Sequence, residues 1–386
     1  MIVFEILSSI YAICILHILH LFYFNYNTIC GQDKFMIMSP ESEYKNYPMV
    51  KFKLNKSHKN LYDFMIEKYK PLIVEKKSVF RRKYIDDNTF SYSDETVDKI
   101  INYTFNKLIS VDKCDKSLIV KDTIKNSNKM SIWIANDGFI ICVSHLLHDG
   151  TSIFNTTTYI TDNKAVVNLP VFYYIPVFNE IKTIYDMCRG YCHGIPKRNL
   201  SLDYPRDTTD YHNMIKTKIH ISYIKELKSL ASSSLKEKTS FQIVFSAIQT
   251  FVLFQSSKKE RLTVGIVVGF KNTNRFNNFT AIVLDIKRPI DLSYNTENLL
   301  LLVEEMHKQG KRKMYQIPLF YSLTNVYNIP VYLNKTIDVL FSGIPMCQSI
   351  QHSIDNIEIG DVFGTMPYHT SPIYIFNLSD AKYIYI

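Results

Sequence analysis

Glycine is scarce in this chain, at 11 of 386 residues, whereas tyrosine and phenylalanine number 27 and 24. Together with abundant Ile, Lys and Asn, this reads as the nucleotide bias of an AT-rich genome, so counts of Lys and Asn carry little functional meaning. The net charge of +9 comes with no zinc-finger, RNP or other nucleic-acid motif, and nucleic acid is not an expected partner. The densest basic stretch, residues 45–83, is interrupted by Glu43 at its edge and by Asp63, Glu67 and Glu75 within it. It is a solvated face, or one that meets anionic lipid headgroups. Seven cysteines form no paired framework, and a chain of this size does not need one. Cys188 and Cys192, followed by His193, lack the second ligand pair of a zinc site, so no metal is expected there. No repeat of 20–50 residues occurs.

What is present is enough for two lobes with sizeable cores: 46% of residues are apolar and 21% charged. Residues 2–24 form a near-continuous apolar segment of bilayer-spanning length, containing Glu5, His17 and His20. No Lys or Arg precedes its apolar core, which is longer than a signal-peptide core, so an uncleaved single-pass anchor is preferred to a cleaved signal. Positive charge follows the segment, which directs the body to the cytosol, with the endoplasmic reticulum as the expected membrane. The expected order is the anchor (1–24), a spacer (25–47), a first lobe (48–193), a linker rich in Pro, Asp, Arg and Thr (194–212) and a second lobe (213–386).

Within the first lobe, Leu61, Phe64, Met65 and Tyr69 have helical spacing, residues 72–85 alternate as a strand, and Ser93 is the expected cap of a helix bearing Val97, Ile100, Ile101, Phe105 and Leu108. Residues 130–135 and 139–144 flank Asn136-Asp137-Gly138 and predict a hairpin. Residues 165–181 are apolar but broken by Pro170 and Pro176, which suits a buried crossover or interfacial contact better than a span. In the second lobe a strand is expected at 215–221, a helix capped by Ser222, and another capped by Thr239 or Ser240 with Phe241, Val244, Ala247, Ile248 and Phe251 along one face. Strands follow at 262–268 and 281–286, a helix at 297–306, and short strands near 336–341, 357–363, 373–376 and 383–386.

The second hairpin arm ends in His145-Leu146-Leu147-His148-Asp149-Gly150. This spacing sets a titratable imidazole at a strand exit, a carboxylate four residues on, and then a glycine that lets the backbone turn away. Three other readings remain open: a packed histidine, a metal site of His145, His148 and Asp149, and Asp149 as an ordinary turn residue before glycine.

His145-x-x-x-Asp149-Gly150 at a strand exit, in the first of two α/β lobes, resembles the CoA-dependent acyltransferase superfamily, and within it the wax-ester synthase/diacylglycerol acyltransferase family. Thr239-Ser240-Phe241-Gln242-Ile243-Val244 stands where that family has its middle motif, and Phe341-Ser342-Gly343-Ile344-Pro345 where it has its last. Ser144 replaces the first motif histidine, Phe241 and Gln242 replace an Asn-Asp pair, and Asp361-Val362-Phe363-Gly364 echoes an element of the plant enzymes.

The resemblance implies an α/β (α+β) fold of two chloramphenicol-acetyltransferase-like lobes with mixed sheets, behind the transmembrane helix. It implies His145 as general base, Asp149 in a structural ion pair with Arg81 or Arg82, and Gly150 at a close turn. Ser342 or Gly343 would serve the oxyanion, and Lys311, Arg312 and Lys313 either meet CoA phosphates or complement a helix end in water. Acyl-CoA would be co-substrate, with no permanently bound cofactor. The acceptor would be a lipidic alcohol reached from membrane lipid. Acylation of a small polar alcohol or amine, and a tethered binding protein without catalysis, are the alternatives.

Overall fold

Strand β1 (Met49–Leu54) turns Val50, Phe52 and Leu54 into a core, while Lys51 and Lys53 both reach Asp112 on the other side. The structure is a computed structural model and describes residues 47–86, 89–145, 147–148, 150–162, 217–269, 279–313, 337–345, 352–365, 373–379 and 382–386, apart from an isolated residue 12. The expected anchor, the spacer, the Pro170–Pro176 stretch, the linker and Cys188 and Cys192 lie outside these residues. Among the described residues no helix is long and apolar enough to cross a membrane.

The chain next forms β2 (Arg82–Asp86) and β3 (Thr89–Tyr92), a separate two-stranded ribbon, then β4 (Phe105–Lys107), β5 (Met130–Ala135) and β6 (Gly138–Val143). β5 and β6 make the expected hairpin, both strands buried along their whole length. Much later come β7 (Lys218–His220), β8 (Arg261–Gly269), β9 (Phe279–Lys287), β10 (Val339–Pro345), β11 (Ser353–Ile354), β12 (Ile357–Thr365), β13 (Ile373–Ser379) and β14 (Tyr383–Tyr385). The first six-stranded sheet has the order β11-β12-β1-β6-β5-β4, and the second β7-β14-β13-β10-β8-β9. Both are mixed, with parallel pairs at β4–β5, β10–β13 and β8–β10. Strands β11 and β12 thus belong to the first sheet by hydrogen bonding although they fall in the second half of the chain, so a cut at 194–212 does not separate the two sheets.

Helix α1 (Leu61–Val74) lays Leu61, Met65, Tyr69 and Ile73 on one face of the first sheet, packing with Phe52, Phe139 and Ile141. Helix α2 (Val97–Thr104) joins that face through Ile100, whereas Ile119 and Val120 of α3 (Lys116–Lys125) cover the other face at Trp133, Ile140 and Cys142. Coverage on both sides explains why β5 and β6 are apolar without alternation. Helix α4 (Gly150–Ile160) follows the first sheet, and α5 (Ile221–Leu235), α6 (Phe241–Ser256) and α7 (Thr296–Arg312) build the core of the second.

Several local expectations change. Residues 72–85 are not one strand: α1 runs through Pro71 to Val74, a 3-10 turn covers Val79–Arg81, and the strand begins at Arg82. The cap of α2 is Thr96, whose hydroxyl accepts from the Lys99 N–H, while Ser93 bonds Glu95; Phe105 leaves the helix for β4. The cap of α5 is the His220 side chain rather than Ser222, whereas Ser240 caps α6.

Gly138 has φ +152, and a Cβ there would lie 2.1 Å from the Phe52 carbonyl oxygen, a backbone atom that cannot step aside without breaking the β1–β6 pairing. Gly138→Ala is predicted to lower unfolding free energy by roughly 2–4 kcal/mol in chemical denaturation. A change below about 0.5 kcal/mol would show that β1 is not held against the hairpin as described.

Candidate functional site

The buried hairpin arm β6 ends at Val143, and the motif follows as a tight turn. Leu147 N–H and His148 N–H both donate to the Ser144 carbonyl, at 3.2 and 3.0 Å, and Ser144 N–H donates to the Lys129 carbonyl at 2.7 Å. His145 is half-buried, while Ser144, Leu147 and His148 are buried. Leu146 and Asp149 lie outside the described residues, so the expected Asp149 ion pair belongs to what is proposed. Gly150 is the first residue of α4.

The β2–β3 ribbon grips this turn. It packs Phe90 and Tyr92 against Leu147, and Arg82 Nη1 donates to the Leu147 carbonyl at 2.9 Å. Arg81 is engaged elsewhere: its guanidinium donates to the carbonyls of Ile73, Ser93 and Glu95 at 2.7, 2.9 and 2.8 Å. Of the two arginines considered for Asp149, Arg82 is the one at the motif.

His148 points inward. Its Nε2 lies 3.0 Å from the Asn128 carbonyl, which can only accept, so Nε2 carries the proton. Complete burial, with Arg82 and His145 as nearby positive or ionisable groups, pulls its pKa down to about 3, against the opposing pull of the Asn128 carbonyl. Asn128 is itself fixed: its side-chain amide donates to the Phe80 carbonyl at 3.0 Å and to Thr104 Oγ1 at 3.1 Å, and its Oδ1 accepts from Met130 N–H at 3.2 Å.

Helix α4 is held along its length. Tyr69 Oη donates to the Thr156 carbonyl at 2.9 Å from full burial, which pushes its phenol far above the ordinary range. Beyond the helix, the Asp162 carboxylate accepts from Ser353 Oγ and from the N–H groups of Asp355 and Asn356, at 2.7, 3.0 and 2.9 Å. Those bonds outweigh partial burial and lower its pKa. The helix approaches β10 of the second sheet, with Cα atoms of the two elements within 8 Å.

On β10 stand Ser342 and Gly343. Asn377 of β13 donates its amide to the Ser342 carbonyl at 3.3 Å. A Cβ on Gly343 would meet Gln242 Oε1 at 2.4 Å and Asn377 Oδ1 at 2.8 Å, so a side chain here would displace both amides. The middle and last sequence segments therefore meet through Gln242 and Gly343. The Asp361–Gly364 element is on β12 in the first sheet, where Gly364 lies directly under the Phe376 ring of β13.

Lys311, Arg312 and Lys313 do not form a shared cradle. Lys311 pairs with Glu237, which also bonds His307, and Lys313 Nζ donates to the Val283 carbonyl at 3.1 Å, half-buried with a lowered pKa from desolvation. Arg312 is exposed at the helix end. Pairing and helix-end placement account for the triplet without a phosphate.

No family model and no curated protein sequence matches the chain. Solved structures do resemble it. The trichothecene 15-O-acetyltransferase TRI3 from Fusarium sporotrichioides superposes with TM-score 0.60 at 11% identity, covering 93% of this chain and 89% of that one. The condensation domain of the monacolin K polyketide synthase MokA gives 0.54 at 10% identity, over 93% and 90%. The starter condensation domain of rhizomide synthetase RzmA, in complex with C8-CoA and Leu-SNAC, gives 0.55 at 9% identity, over 93% and 88%. The chain has the fold shared by this O-acetyltransferase and these condensation domains. At these identities the likeness is one of fold, and it covers both sheets. The wax ester synthase/diacylglycerol acyltransferase from Marinobacter aquaeolei VT8 superposes with TM-score 0.47 at 12% identity, over 96% of this chain and 90% of that one.

The buried neutral His148 has a consequence for acid stability. Its folded pKa is depressed from 6.5, so unfolding takes up a proton below about pH 6.5, and the stability present above that value is lost as pH falls toward 3. Between pH 6 and 4, the stability advantage of wild type over a His148→Gln variant should shrink by about 1.4 kcal/mol per pH unit. Parallel stability curves for the two proteins would show that His148 is not buried as a neutral ring.

Proposed function

We propose that the chain is an acyl-CoA-dependent O-acyltransferase in which His145 is the general base. The observation that carries this reading is the placement of His145 at the exit of a fully buried strand, on a turn gripped by the ribbon, in a CoA-dependent acyltransferase fold. The acceptor hydroxyl attacks the thioester carbonyl carbon as the His145 imidazole removes its proton. The tetrahedral intermediate collapses by breaking the carbon–sulfur bond, and the imidazolium returns the proton to the departing CoA sulfur. The thioester supplies its own leaving group, so the chain's residues need only orient the reactants, move one proton and stabilise the oxyanion. Ser342 or Gly343 on β10 is the proposed oxyanion element, and Asp149 the proposed partner of Arg82, holding the motif in shape.

The apolar segment 2–24 supports a fatty acyl donor and a lipidic alcohol acceptor, with the body on the cytosolic side of the endoplasmic-reticulum membrane. The likeness to a trichothecene 15-O-acetyltransferase supports a second reading, acyl transfer to a smaller polar alcohol. Transfer from radiolabelled palmitoyl-CoA and acetyl-CoA to a long-chain alcohol, diacylglycerol and a small polar alcohol separates these, using membranes carrying the full chain. His145→Ala should reduce transfer by about 10²–10⁴-fold. Equal turnover in wild type and variant would remove His145 as the base, and no turnover with any donor and acceptor would leave a binding protein.

A further inference from the structure

We infer that His148 is a positioning residue for His145: its buried imidazole pins the turn from which His145 projects to the Asn128 carbonyl, two residues before β5. This inference rests on the reading of His145 as the reactive group, but its geometry stands apart from any activity. Two hydrogen bonds, among the described residues, tie Ser144 and His148 to the 128–129 backbone. One is the Ser144 N–H to Lys129 carbonyl bond at 2.7 Å; the other is the His148 Nε2 to Asn128 carbonyl bond at 3.0 Å. They bracket His145 on both sides, one residue before it and three after.

The platform below is rigid for reasons in the structure. Lys129 holds a positive φ of 51°, and the Asn128 side chain is bonded to Phe80, Thr104 and Met130, so the accepting carbonyl has no freedom to follow a moving turn. A leucine at 148 would fill much the same volume but could not donate, leaving the Asn128 carbonyl unsatisfied in a buried place. Glutamine places an amide N–H near the position of imidazole Nε2 and keeps the donor. Among the described residues, the charged and titratable groups facing His148 are Arg82 from β2 and His145 from the same turn. A neutral ring at 148 adds no positive charge beside the base.

Three proteins test this: wild type, His148→Leu and His148→Gln, each checked for folding by circular dichroism. Histidine-labelled protein gives the His145 titration by nuclear magnetic resonance, assigned by its loss in His145→Ala, and transfer assays give kcat and KM. His148→Leu should displace the His145 titration midpoint and lower kcat about tenfold to a hundredfold with KM changed less than about twofold, and His148→Gln should restore both. An unchanged midpoint and unchanged kcat in a folded His148→Leu would overturn the inference. If His148→Leu does not fold, the wild-type spectrum decides: His148 must show a neutral ring protonated at Nε2 between pH 5 and 8, and a ring that takes up a second proton there overturns it. A displaced His145 midpoint in a chain that transfers no acyl group would keep the positioning role and remove the acyltransferase reading.

Discussion

Strand β1 is hydrogen-bonded on one side to β6, which delivers His145, and on the other to β12, which arrives from the far end of the chain. Met49 pairs with both Cys142 and Thr365, and Phe52 stacks on Phe139 at 4.6 Å between ring centres. Closing so long a loop costs entropy that grows only slowly with length, and the apolar burial along these three strands offsets it. Without β1, β6 and β12 would each keep a strand on one side only. The core of the first sheet accordingly takes Ile354, Ile359 and Val362 from the second half of the chain.

The return of β12 also builds the seam between the sheets. Tyr385 Oη and Lys218 Nζ both donate to the Gly360 carbonyl, at 3.1 and 3.0 Å, and Lys218 adds an ion pair with Asp361 at 2.9 Å while lying over the Tyr383 ring. Gly364 lets the Phe376 ring approach the backbone of β12. These contacts tie β12 to β7, β13 and β14, and β13 is the strand beside β10. The turn bearing His145 and the strand bearing Gly343 are thereby held by elements that are themselves joined, which is what a reaction between two bound substrates requires.

Much of this was readable from residues. Asn136-Asp137 before Gly138 marked the hairpin, the apolar face from Phe241 to Phe251 marked α6, and Thr239 or Ser240 marked its start, with Ser240 the cap. What escaped has physical causes. β1 reads as Met-Val-Lys-Phe-Lys-Leu, and its alternation is hidden among neighbouring lysines. Pro71 looks like a helix stop, yet burial of Tyr69 and Ile73 on either side carries α1 through it. β4 is three residues long and is fixed only by its parallel partner β5, a contact no local pattern announces. At the site, the histidine and its turn were visible as a motif, while Asn128, Arg82 on Leu147 and the ribbon that covers the turn come together only in three dimensions.

We propose that acyl-CoA meets His145 between the two sheets. A crystal structure of the chain with a ketone analogue of acyl-CoA, its thioester sulfur replaced by methylene, tests it most directly. The account predicts the ketone carbonyl beside the His145 imidazole, with its oxygen turned toward Ser342 and Gly343 on β10. An analogue bound elsewhere, with no contact to His145, would contradict it.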